Sequence, residues 1–285
     1  MASRRTRRRP RRFEVIRLWL SRVIIWFLLA MVYFPILSVI SASLQKGGAF
    51  TSNSLLPNPK LFTLQNYVDL LTGGKFLLWI RNTFALGIAV GVIQVFVTVT
   101  AAYAFSRMNF WGRKNGIRTL MLLQMMPSFL SASAIQYALF KLRLANPLGM
   151  LLVMTGTAAS NIWLTKNYID GIPRDLDESA KVDGCTDWDV FTKILLPLSK
   201  PILAVMFLFS FIGVFQEFAM ASVILRNPKN WVLTQGLRSF QANAYSTNWG
   251  EFSAAVVLAS VPLAAVWMFA QKYVQAGLTR GAIKG

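Results

Sequence analysis

Eleven carboxylates and not one histidine set the limits of the chemistry this chain of 285 residues could do. Seven of the eleven, Asp170, Asp175, Asp177, Glu178, Asp183, Asp187 and Asp189, crowd a single polar stretch between two long apolar segments. General acid–base work needs two carboxylates set apart by their environments in one pocket, and no such buried pair is evident. The missing histidine removes Ser-His, Cys-His and His-ligated zinc arrangements. Gly74 and Lys75 lack the preceding glycine and the following serine or threonine of a phosphate-binding loop, so this chain has no Walker motif with which to hold ATP. Its one cysteine, Cys185, excludes an intrachain disulfide and reads as a small packing residue. What remains is recognition: charges and turn-formers gathered where they could dock another molecule.

The polar stretch reads as two short helices joined by an elbow. Pro173 sits where a first helical turn tolerates proline, and Asp175, Asp177 and Glu178 crowd a helix start, where the macrodipole favours anions. Gly184 supplies the break. Thr186 with Asp189 forms an N-cap pair, the run 190–196 follows, and Pro197 stops it. A charged elbow cannot lie in hydrocarbon, so it projects into water.

The elements around it are those of a membrane protein. With 55% hydrophobic and only 14% charged residues, the chain is too apolar for an ordinary soluble domain. Windows of about 20 apolar residues predict six spans, at 23–40, 84–105, 120–140, 148–165, 202–225 and 252–270, and hence an all-α integral membrane protein. Asn161 and Lys166 make the fourth the least apolar. The segment 23–40 has the layout of a signal peptide, but it is longer than the usual core of about 7 to 15 residues and is expected to stay as a helix.

The net charge of +19 and the eight arginines among the first 17 residues invite a nucleic-acid reading. Orientation explains them better. Twenty lysines and arginines fall in 1–18, 107–118, 166–200 and 272–285, against nine in 44–81, 141–147 and 226–250. Basic residues collect on the cytoplasmic side, so both termini and the loop 170–200 are placed there, with 226–250 outside. The basic arm 1–18 is assigned to anionic membrane lipids and not to nucleic acid.

Gly87 and Gly91 form a G-x-x-x-G that lets helices approach. Pro127, beside Gln124, Ser128 and Ser131, must break one backbone hydrogen bond; the bend either lines a cavity for a polar solute or is a kink solvated by neighbouring hydroxyls. Glu217, after Gln216, is the one carboxylate deep in an apolar run, and it serves either a solute path or gate or a structural anchor. Trp231, Tyr245 and Trp249 could form an interfacial belt or a probe.

Glu178, Ala180, Asp183, Gly184, Ile194, Leu196, Pro197 and Pro201 match the loop signature E-A-A-x-x-D-G-A followed by I-x-L-P-x-x-x-P, with Ser179 and Cys185 in place of alanines. The stretch thus resembles the cytoplasmic coupling loop of ABC importer permeases. Ala101 to Gly112, Leu123 to Ser131, Leu196 to Val205, Glu217 to Ser222 and Gly277 to Gly285 are similar to carbohydrate-type members, nearest to the shorter permease subunits of maltose and maltodextrin importers. The resemblance implies a six-helix permease that works by alternating access, with a second permease subunit, two cytoplasmic ATP-binding subunits that hold ATP and Mg, and an extracytoplasmic sugar-binding protein. It assigns Glu178, Ser179, Ala180, Asp183, Gly184, Ile194 and Pro197 to ATPase coupling. Gln124, Pro127, Ser131 and Glu217 become candidates for the path of an oligosaccharide, and Trp231, Tyr245 and Trp249 for contact with the binding protein. Gly281, Ala282, Ile283, Lys284 and Gly285 form a tail against the ATPase. The chain itself is expected to bind no cofactor or metal and to catalyse no reaction. A passive channel or ion-coupled transporter would not need the docking loop, and a membrane enzyme is disfavoured by the missing histidine.

Overall fold

The computed structural model describes residues 12–46, 59–125, 131–241 and 248–282. Helix α1, Arg12–Ser43, contains Pro35 and packs along the last helix of the chain. Helix α2, Gln65–Thr72, fastens its end: Asn66 Nδ2 donates to the carbonyls of Ser43 and Gln45, at 2.9 and 3.0 Å.

Helix α3, Lys75–Arg107, is the centre. Its 33 residues rise about 50 Å, more than the roughly 30 Å of a bilayer core. It packs against α6 (Pro147–Gly156), α7 (Ala159–Asp170), α10 (Leu196–Gln216) and α12 (Leu233–Ser239). Gly87 and Gly91 face α10, where an added Cβ would stand 2.9 Å from the Phe211 ring and 2.7 Å from the Phe207 ring. The G-x-x-x-G is therefore a close-approach surface, and the aromatic side chains of α10 fill it.

Between α3 and α6 lie α4 (Arg113–Gln124) and α5 (Ala132–Lys141). They flank residues 126–130, so the expected span 120–140 and its Pro127 fall partly outside the described residues. Helices α6 and α7 meet at a 45° bend inside the expected span 148–165. After α7 come α8 (Asp175–Val182) and a short turn α9 (Asp187–Asp189), which runs through a π-helical segment, Val190–Leu195, into α10.

That continuity corrects the expectation that Pro197 stops a helix. Proline removes one N–H and crowds the carbonyl four residues back; here it sits in the first turn of α10, behind a turn widened to π geometry. Pro173 also moves, standing one residue ahead of the N-cap Arg174 in the connection from α7. The expected span 202–225 is likewise not one helix. It ends at Gln216, where Glu217 is extended, and resumes as α11, Ala219–Ile224. A 3-10 turn, Pro228–Asn230, leads to α12, and α13, Trp249–Ala282, closes the chain.

Among the described residues four helices are long and apolar enough to cross a membrane, within 16–43, 75–107, 187–216 and 249–272, or five if α6 and α7 count as one bent span. Close packing of α3 on α10 is testable. Phe211 is buried and wedged among Phe84, Phe207 and Phe215, so it cannot yield to a new side chain. Gly87→Leu should cost about 1 to 3 kcal/mol and lower the thermal midpoint of the detergent-solubilised protein. Gly213→Ala, with no heavy atom within 4 Å of the new Cβ, should leave it unchanged or slightly higher.

Candidate functional site

The polar stretch folds into the expected elbow. Acids at 175, 177 and 178 occupy the first turn of α8, and Asp177 and Ala180 form its buried face. At its end the Gly184 N–H donates to the Lys181 carbonyl (3.1 Å) and the Cys185 N–H to that of Ala180 (2.9 Å), a Schellman cap with Gly184 left-handed at φ 87°. Cys185 packs with Ala180, Ile169 and Val190, the small packing role read from its sequence. Thr186 and Asp189 then form a reciprocal capping box, at 3.1 and 3.2 Å. Lys181 pairs with Asp187 on the surface at 2.7 Å, and that carboxylate raises the ammonium above its ordinary pKa.

Outward, α8 presents Glu178, Ser179, Val182 and Asp183, with Val182 88% exposed. Trp188 is exposed beside it. Ile194 and Pro197, in the stretch leading into α10, are half-buried and exposed respectively.

Inward, the elbow is tied to the last turns of α3. Arg107 Nε lies 2.6 Å from Asp177 Oδ2, off the N–H axis, so the contact is an ion pair more than an aligned hydrogen bond. Arg107 Nη2 donates to the Ile172 carbonyl (2.8 Å), and Ser106 Oγ to Asp170 Oδ1 (2.6 Å). Arg174 donates to the Ser106 carbonyl at 3.3 Å, and Tyr103 to that of Asp187 at 3.1 Å. A cavity of about 310 Å³ opens between these elements, lined in part by Tyr103, Arg107, Asn109, Arg174, Glu178 and Lys181.

A second polar cluster sits on the α6–α7 bend. Gln94 of α3 is buried; its amide donates to the Met154 carbonyl (2.6 Å) and Thr157 Oγ1 (3.1 Å), while its oxygen accepts from Ser210 (2.6 Å) and Asn161 (3.1 Å). Gln124 donates to the Thr157 carbonyl at 2.7 Å and accepts from Ser160. Two glutamines thus supply the partners that the bend withdraws from the backbone.

Residues 94–280 match the family described as binding-protein-dependent transport system inner membrane component. The chain belongs to this family. Its relatives include the maltose/maltodextrin transport system permease protein MalG of Vibrio parahaemolyticus, 36% identical over 94% of this chain and 96% of the relative, and that of Escherichia coli K12, 35% identical with the same coverage. Among solved structures, a bacterial ABC transporter involved in the import of the acidic polysaccharide alginate superposes with a TM-score of 0.79, at 24% identity, over 93% of this chain and 99% of that one. The MetNI methionine ABC transporter gives 0.56 at 18% identity, over 74% and 97%. This is accordingly an inner-membrane permease and not an enzyme.

Within the permease the remaining expected residues are dispersed. Glu217 caps α11, its carboxylate accepting from the Met220 N–H at 2.8 Å, while its carbonyl accepts from Thr234 (2.8 Å). No hydrogen bond joins it to Gln124 among the described residues, and Ser131 lies exposed at the start of α5. Trp231 is half-buried against the cluster of Trp79, Phe211, Phe215 and Leu233. Trp249 opens α13 edge-on to Phe252. Tyr245, the arm 1–11 and Ile283, Lys284 and Gly285 lie outside the described residues, whereas Gly281 and Ala282 end α13.

The expected loop 226–250 is largely pinned down. Asn82 Nδ2 donates to the Lys229 and Trp231 carbonyls (2.9 and 3.0 Å), Thr83 Oγ1 accepts from the Leu233 N–H (2.8 Å), and a Cβ on Gly236 would stand 2.1 Å from the Trp79 ring. The sequence reading missed Gln94, Asn161 as its partner, and the Arg107–Asp177 pair. A lone glutamine in the apolar run 84–105 was the available signal. Gly184→Val should strain the left-handed cap by about 1 to 2 kcal/mol, seen as faster hydrogen exchange at residues 180–185 with the rest of the protein protected as before.

Proposed function

We propose that this permease is one of two membrane subunits of an ATP-driven, binding-protein-dependent importer of an oligosaccharide of the maltodextrin type. The elbow carries this reading: it is tied to α3 through a buried ion pair yet turns Glu178, Ser179, Val182 and Asp183 outward. A surface solvated for its own sake has no need of an apolar residue between two charges. In this reading two cytoplasmic subunits hold ATP and Mg, close upon it, and drag the elbow, so that the spans alternate between outward and inward access. A second permease completes the path, and an extracytoplasmic sugar-binding protein delivers the solute. The maltose/maltodextrin names of relatives similar over 94% of the chain support the solute class.

Six spans are proposed, the third formed by α4 and α5 across residues 126–130 and the fourth by α6 and α7. Both termini and the elbow then face the cytoplasm, in keeping with the excess of lysine and arginine in those segments. Gln124, Ser131 and Glu217 remain candidates near the solute path, with Gln124 and Glu217 also bracing breaks in the backbone. The tail from Gly281 is proposed to meet the ATPase, and Trp231, Tyr245 and Trp249 to meet the binding protein.

Copurification with the neighbouring subunits, followed by ATPase assays against a panel of oligosaccharides, tests the reading. Binding-protein-dependent ATP hydrolysis stimulated by maltodextrins is the expected result; a chain that recruits no ATPase would defeat it. Glu178→Lys should leave the protein inserted but lower ATPase association by at least about tenfold, since a charge stranded at an interface costs on the order of 2 to 5 kcal/mol. Reporters fused at Ala2 and after Gly285 should both register cytoplasm, and an external signal at either end would break the six-span arrangement.

A further inference from the structure

Among the described residues, the elbow meets α3 through five polar contacts made by Tyr103, Ser106 and Arg107 in its last turns. One of them differs in kind. The Arg107–Asp177 pair is almost wholly withdrawn from water, with side chains 8% and 12% exposed. Asp177 Oδ1 has no hydrogen-bond partner among the described residues. An ion pair in such a place is a poor device for stability, because apolar residues of like volume commonly hold as well or better. What it supplies is direction. The guanidinium grips the Ile172 carbonyl with one nitrogen and Asp177 with another, fixing both the approach to α8 and its first turn. The apolar contacts beneath α8 come from Ala180 against Ala102, Ile169, Val190 and Leu195, small and aliphatic surfaces that would permit sliding.

Beyond Arg107, α3 runs unbroken to Asn82 and Thr83, which hold the α12 segment, and on its way seats α10 on Gly87 and Gly91. A push on α8 is therefore delivered to a rod that packs against α6, α7, α10 and α12. We infer that Arg107 and Asp177 are positioning residues of the transport cycle, locking the elbow to α3 so that the two move as one body. This rests on the importer reading above.

The test is uptake per ATP hydrolysed, measured in proteoliposomes holding the full complex and the binding protein, with assembly scored separately by copurification. Two variants are compared with the wild type. Arg107→Lys keeps the charge but loses the two-pronged grip, and Arg107→Met with Asp177→Leu removes both charges without stranding either. Both assembled complexes should show the ratio reduced by about fivefold or more, within the usual range of coupling between sites. A wild-type ratio in the assembled double variant would overturn the inference. Failure of the double variant to assemble would also overturn it, since the pair would then be an element of folding alone. A wild-type complex without binding-protein-dependent ATP hydrolysis would instead sink the importer reading, and this inference with it.

Discussion

Close seating of α3 against α10 is the constraint from which the rest of the permease is hung. In a bilayer, burying one apolar helix against another gains little from water exclusion, so association depends on contact distance and polar links. Gly87 and Gly91 provide the distance, and the stacked rings of Phe207 and Phe211 occupy it. Once the two helices are seated, α3 presents polar groups at three heights. Asn82 and Thr83 hold the segment after α11, Gln94 holds the α6–α7 bend, and Ser106 with Arg107 hold the elbow. Shift α3 and all three lose their partners.

Among the described residues, two of the interruptions are answered by side chains and one by the backbone itself. At Thr157 the answers are Gln94 and Gln124, drawn from two other helices. At Glu217 the carboxylate itself caps the next helix, and Thr234 takes its carbonyl. Before Pro197 the backbone makes the adjustment alone, by widening to π geometry. Broken helices are tolerated at membrane depth only on such terms, and they are also the places where a helix can change direction at low cost.

Local rules made the elbow legible in the residue string. Gly184, Thr186 and Asp189 act on neighbours within six residues, so cap and capping box could be read without any knowledge of the fold. Span positions followed from composition, but their ends did not. The helix around the expected span 84–105 runs from 75 to 107, its last turn closed by the Met108 N–H on the Ala104 carbonyl and its last residue, Arg107, paired with Asp177. Pro197 misled because its usual effect on a helix can be absorbed by a wider turn, which no residue announces. Glu217 was recognised as costly in hydrocarbon, yet the end it puts to α10 depends on α12, met seventeen residues later. The partners of Gln94 lie 60 to 116 residues away in the chain. Arg107 and Asp177 were each visible as charges, and only the packing of α8 under α3 makes them a pair.

Helix α1 stands apart from this arrangement. Residues 16–37 are exposed, the helix packs along α13, and its end is fastened where Asn66 holds the Ser43 carbonyl. Along its exposed length polar groups are answered locally, Ser21 by the backbone one turn back and Arg22 by the Trp19 ring, whereas at its end Ser43 meets the Tyr67 hydroxyl. Preceding Gln94 in the chain, this apolar helix can partition into lipid before Gln94 has emerged from the ribosome, let alone found Asn161. The later helices carry side chains, Gln94 and Asn161 among them, that find these partners only in each other's company. The first helix can wait for them in the bilayer as a tether.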